Sequence, residues 1–186
     1  MIDYKKFVFA AAPYTGVYWF SQAAQLVAFE NAAANIATRE DAYHLFPEER
    51  NDTLRVSLVR HPCMWLTALY RSSWNVAKLK FLPEFLNLNT NQNFDDFVVE
   101  VIDTIPGAIG RLFFSYKADT YLRSEDYPDN FVELARSLEV NHQFFENPFF
   151  SNPINKYGYY ESMWKTNIWN RLIASERELC EHFDYY

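Results

Sequence analysis

The run Lys6-Phe7-Val8-Phe9-Ala10-Ala11, apolar after its lysine, gives way within two residues to Pro13-Tyr14-Thr15-Gly16. A short unbroken apolar run predicts a strand buried on both faces, as in a parallel sheet. Proline and glycine directly after it predict a tight turn. Beyond the turn Val17, Phe20, Ala24, Val27 and Ala28 recur at helical spacing. The chain therefore opens as strand, tight loop, helix. It contains only four glycines in 186 residues, so Gly16 is expected where the backbone needs one.

A second strand is predicted over Leu54–Val59 and ends at Arg60-His61-Pro62, because proline breaks a ladder and suits a first helical turn. The spacing of Trp65, Leu66, Leu69, Tyr70 and Val76 predicts a helix from Cys63 to about Lys78. Leu79 to Asn93 reads as a linker containing Pro83. Asn93 is then an N-cap, with Asp95 and Asp96 in the first turn, where acidic groups suit the helix dipole. Phe94, Phe97, Val98, Val101, Ile102 and Ile105 form an apolar stripe that ends at Pro106-Gly107. A further helix is expected over Ala108–Tyr116, a short strand over Thr120–Arg123, and a helix marked by Phe131, Leu134, Ala135 and Leu138. Asn141 to Asn155 is loop-rich. Trp164, Ile168, Leu172, Leu179 and Phe183 predict one last continuous helix.

Strands separated by helices favour an α/β fold, a central parallel sheet with helices on both faces. Ligands in such folds sit beyond the carboxyl ends of the strands. Two segments have that position, Ala12–Gly16 and Arg60–Pro62. The length fits a single domain over 1–186. A net charge of −7 argues against a general nucleic-acid partner. Two well-separated cysteines exclude a disulfide-rich scaffold and a four-cysteine zinc site, and the histidine spacing suggests no metal. The start lacks the order of a signal peptide, and no run of about 20 apolar residues occurs. A cytoplasmic protein with no membrane partner is expected.

The first loop has the length of a phosphate loop, but a nucleoside triphosphatase would follow Gly16 with lysine and a hydroxyl residue. Val17 and Tyr18 stand there instead, which argues against ordinary ATP or GTP hydrolysis. A strand-to-helix turn still offers backbone N–H groups to an anion.

Taken together, the segments resemble the sulfotransferase family. Pro13-Tyr14-Thr15-Gly16-Val17-Tyr18-Trp19-Phe20 is similar to its Pro-Lys-Ser-Gly-Thr-Thr-Trp-Leu loop. Val56-Ser57-Leu58-Val59-Arg60-His61-Pro62, with Tyr70 ten residues after the arginine, is similar to its second motif. Leu122-Arg123-Ser124-Glu125-Asp126-Tyr127 resembles its strand ending in Glu-Asp-Leu, and Trp164-Lys165 its late Trp-Lys pair. The resemblance spans roughly residues 6–185. It implies a P-loop-like three-layer sandwich and the donor 3′-phosphoadenosine-5′-phosphosulfate, with no metal. Pro13, Tyr14, Thr15, Gly16, Val17 and Tyr18 would cradle the 5′-phosphosulfate. Arg60 would grip the 3′-phosphate through its forked donors. Tyr43-His44-Leu45-Phe46-Pro47 is similar to the family's histidine segment, which makes His44 the implied base for an acceptor hydroxyl. The implied acceptor is a small molecule or a glycan bearing a hydroxyl or amine.

Two positions depart from the family pattern. Its loop lysine is Tyr14, whose hydroxyl can donate one hydrogen bond but is ordinarily neutral at pH 7. Losing a charged donor to a developing oxyanion costs about 10²–10³ in rate. The serine two residues before the motif tyrosine is Ala68, with Thr67 beside it as the substitute phosphate contact. In a sulfotransferase Tyr14 or another group would stand in for the lysine, and a basic side chain reaching the loop from elsewhere, such as Lys156 or Lys165, would favour that reading. The alternatives are a non-catalytic relative that keeps the fold as a nucleotide-binding or interaction module, and an unrelated phosphate binder.

Overall fold

Four strands pair in the order β1-β2-β3-β4, with β1 at Ile2–Asp3, β2 at Phe7–Phe9, β3 at Leu54–Val59 and β4 at Thr120–Arg123. The register sets Phe9 opposite Val56 in a parallel β2–β3 pair and Val59 opposite Arg123 in a parallel β3–β4 pair. β1 is antiparallel to β2. The computed structural model describes residues 2–3, 7–17, 20, 41–46, 53–72, 81–89, 92–139 and 163–186. Among them are six α-helices: α1 (Pro62–Arg71), α2 (Phe94–Thr104), α3 (Ala108–Phe114), α4 (Asp129–Ser137), α5 (Thr166–Ser175) and α6 (Arg177–Phe183). The architecture is mixed α/β, in two compact units: Met1–Val59 with Ser115–Asn155, and Arg60–Phe114 with Lys156–Tyr186.

In the first unit β3 is paired on both edges, and Val56, Ser57, Leu58 and Val59 are all buried. β2 differs from the expectation: Phe7 and Phe9 are buried, but Val8, on the opposite face, is only half-buried. The ring of Phe20 stacks on Phe9 at 4.0 Å and meets Phe7 and Phe131 edge-on at 6.1 and 5.0 Å. Phe131 comes from α4, which buries Phe131, Leu134 and Ala135 at i, i+3 and i+4 and packs on β4. One aromatic ring thus ties the start of the first helix to β2 and α4. Of the predicted first helix, Ala24, Val27 and Ala28 lie outside the described residues.

In the second unit Asn93 caps α2 as predicted, its side-chain oxygen accepting from Asp96 N at 3.0 Å. Phe94, Phe97, Val98 and Val101 are buried, and α1 and α2 both pack against α5. Trp65 on α1 is fully buried between Phe85 and Phe113, at 5.2 and 6.1 Å. The stretch read as a linker is anchored after all. Pro83–Phe85 forms a 3₁₀ turn, and Leu82, Phe85 and Leu88 are buried.

The predicted last helix is two helices, broken at Glu176, which is 2% exposed. Its carboxylate accepts from the N–H groups of Ile109 and Gly110, at 3.1 and 2.8 Å. These are free donors in the first turn of α3, where Gly107 offers no capping side chain. A carboxylate from 66 residues away does the capping. No helix among the described residues is long and apolar enough to cross a membrane.

Burial raises the Glu176 carboxyl above its ordinary 4.5, and its amide bonds and Arg111 oppose this only in part. The folded state therefore holds this proton more tightly than the unfolded chain. The stability this confers is complete below the unfolded pKa and is lost as pH rises through the folded one. Urea midpoints should show Glu176→Gln losing less stability than the natural chain from acid to neutral pH. An equal loss in both would place the titration elsewhere. Glu176→Ala, which leaves two amides without an acceptor, should cost about 2 kcal/mol.

Candidate functional site

Beyond Phe9 the chain continues through Ala10, Ala11 and Ala12, all fully buried. Ala10 N bonds Val56 O at 3.1 Å and Ala11 N bonds Ala42 O at 2.8 Å, so the backbone is held on two sides as it enters the loop. Small side chains let these backbones approach. The Thr15 hydroxyl donates to Ala12 O at 2.7 Å and closes the turn. Phe20 N bonds Gly16 O at 3.2 Å, the first helical bond after the loop.

The loop backbone is unusual. Tyr14 has φ +69° and Gly16 has φ +96°, while Thr15 between them is not at positive φ and Pro13 is fixed negative by its ring. The sign of φ therefore alternates through four residues. A tyrosine at positive φ is uncommon, and its cost of about 1–2 kcal/mol is carried by the surrounding contacts. Positive φ at Tyr14 and again at Gly16 reverses the course of the backbone twice within the turn. Among the described residues no acceptor is found for the N–H groups of Thr15, Gly16 and Val17, although Thr15 and Val17 are buried.

Ser124 was not among the residues singled out from the sequence for a role at this site. It follows β4 and opens a 3₁₀ turn, Ser124–Asp126. Its hydroxyl reaches two carbonyls, Thr15 O in the loop and Val59 O at the end of β3, the latter at 2.9 Å. Asn130 of α4 holds the preceding carbonyl, Arg123 O, at 2.6 Å. The signal available was a hydroxyl residue placed directly after a short strand.

The segment of His44 joins the same neighbourhood. Ala42 O is the acceptor for Ala11 N, and Tyr116 OH holds Tyr43 O at 3.0 Å. His44 follows directly and is exposed. Pro13 is buried and Tyr14 half-buried. Tyr18, Pro47 and Lys156 lie outside the described residues. Glu125 is half-buried, and Asp126 pairs with Arg123 at 3.3 Å. Burial pushes the Tyr127 phenol up to about 12, so it stays neutral near pH 7.

The remaining candidates belong to the second unit. Arg60 follows β3 directly and is 5% exposed. His61 caps α1, its Nδ1 accepting from Cys63 N at 3.2 Å, with its ring against Trp169 and Tyr185. Thr67 is fully buried. It donates its hydroxyl proton to Cys63 O at 2.8 Å and accepts from Trp164 Nε1 at 2.9 Å. The proton given to a phosphate on sequence grounds is thus used within α1. Lys165 pairs with Asp95. Burial raises both thiols, Cys180 to about 12, which keeps them protonated at neutral pH.

No family model matches the chain, and comparison with curated proteins and with solved structures gives no match either.

A Cβ added at Gly16 would meet nothing closer than Ser124 Oγ at 3.8 Å, which is ordinary contact. Gly16→Ala should therefore cost about 1–2 kcal/mol through backbone strain alone. Tyr14→Gly should leave stability equal or higher. Loss of stability in Tyr14→Gly by urea denaturation would mean that the tyrosine ring contributes more than its backbone costs.

Proposed function

We propose that the chain is a small sulfotransferase-like protein that moves a sulfuryl group from 3′-phosphoadenosine-5′-phosphosulfate to a hydroxyl or amine acceptor. The observation that carries this reading is the alternating φ of the first loop, at the carboxyl end of a strand in a parallel sheet. In it the fold is a divergent P-loop-like three-layer sandwich. The loop binds the 5′-phosphosulfate through backbone N–H groups. Thr15 contributes its N–H only, because its hydroxyl is turned to Ala12. Arg60 binds the 3′-phosphate without help from Thr67. The acceptor atom bonds to sulfur as the bond from sulfur to the 5′-phosphate oxygen breaks. The acceptor proton passes to His44, and adenosine 3′,5′-bisphosphate leaves.

Tyr14 supports a second reading, in which the nucleotide is bound and no group is transferred. A neutral phenol takes the place of a cation, and the difference acts on the barrier more than on binding. Tyr14→Lys should raise transfer of radiolabelled sulfate to a panel of hydroxyl and amine acceptors, and Tyr14→Phe should lower it. Binding of the bisphosphate with no turnover in any of the three proteins would decide for the second reading.

Adenosine 3′,5′-bisphosphate should stabilise the protein more than ATP does; at 100 times its dissociation constant the bisphosphate should add about 2.7 kcal/mol. Equal thermal shifts with both nucleotides, or none with either, would count against both readings. Arg60→Ala should weaken the bisphosphate and leave adenosine 5′-monophosphate nearly unaffected. Equal weakening of both would mean lost fold, not a lost phosphate contact.

A further inference from the structure

We infer that Ser124 is a positioning residue for the first loop, turning the Gly16 N–H toward the bound anion and strengthening it as a donor. The inference rests on the anion-binding reading of that loop. In a trans peptide the carbonyl and the N–H point in opposite directions. The Thr15 carbonyl and the Gly16 N–H belong to one such peptide. Ser124 Oγ lies on the carbonyl side, so the N–H faces away from Ser124. A hydrogen bond to a peptide oxygen draws charge toward it and makes the N–H at the other end of that peptide a stronger donor.

The hydroxyl has one proton and two carbonyls within reach, Thr15 O and Val59 O. An anion on the Gly16 N–H makes the Thr15 oxygen more negative and draws that proton to it. The effect is mutual: donation to Thr15 O favours the anion, and the anion favours donation to Thr15 O. Val59 O competes with Thr15 O for that single proton, and its position is fixed because β3 is the central strand and its end is held in register with β4. The added Cβ distance of 3.8 Å from Gly16 shows that Ser124 supports the loop without crowding it.

The test compares the natural chain with Ser124→Ala, Ser124→Cys and Ser124→Thr. Calorimetry measures adenosine 3′,5′-bisphosphate and adenosine 3′-monophosphate, which lacks the 5′ group assigned to the loop. The Gly16 amide proton is followed by NMR without ligand. Ser124→Ala should weaken the bisphosphate about tenfold, the worth of one hydrogen bond. It should leave the monophosphate within about twofold and move the Gly16 amide upfield. Ser124→Thr should restore both values. Ser124→Cys, a weaker donor of similar shape, should fall between and serves in its place if the alanine variant does not fold. If Ser124→Ala weakens both nucleotides equally, or leaves the bisphosphate affinity and the Gly16 amide unchanged, the role given to Ser124 is wrong and the anion-binding reading stands. If the natural chain binds neither nucleotide, that reading fails and the inference goes with it.

Discussion

Parallel pairing of β2, β3 and β4 is the constraint on which the candidate site depends. In register, Phe9 stands opposite Val56 and Val59 opposite Arg123, so the three strands leave the sheet at the same end. An antiparallel β3 would have carried Val59 to the other end and removed one of the two carbonyls that Ser124 joins. The loop after β2, the end of β3 and the turn after β4 meet because of direction and register. No residue in the loop could bring this about alone.

The second constraint is steric. The loop turns within five residues while its flanks are held by Ala11–Ala42 and Gly16–Phe20 bonds. Thr15 directs its hydroxyl inward to close the turn, and Tyr14 and Gly16 take positive φ. On the proposed reading the N–H groups of Thr15, Gly16 and Val17 face the anion, and no lysine stands at the place held by Tyr14. A site built this way carries partial charges only. It suits binding of an anion more readily than stabilisation of charge that grows during bond cleavage. Tyr14 therefore matters more to the choice between transfer and binding than any other residue in the loop.

The fold was legible in the sequence where information is local. An apolar run marked β2, the segments Leu54–Val59 and Thr120–Arg123 were read as strands, and Asn93 with its acidic first turn and periodic stripe marked α2. Elements defined by distant contacts were not legible. β1 is two residues long and exists through its pairing with β2. The break between α5 and α6 depends on Glu176 meeting the amides of Ile109 and Gly110, and no periodicity within the last helix signals it. The anchoring of Leu82, Phe85 and Leu88 had a faint signal in their spacing of three, masked by the surrounding asparagines. At the site, Pro13 to Gly16 could be marked as a turn, but not the inward hydroxyl of Thr15 or the positive φ of Tyr14. Thr67 reads as an available hydroxyl until Trp164 and Cys63 are seen to use it.

The central claim is that the backbone N–H groups of the first loop bind an anion. Its most direct measurement is the amide proton shift of Thr15, Gly16 and Val17 as inorganic sulfate is added to the ¹⁵N-labelled protein. Saturable downfield movement of these three amides, with Phe9 and Val56 unmoved, is the result the account predicts. Amides that stay in place while sulfate rises, or that move linearly together with the rest of the chain, would contradict it.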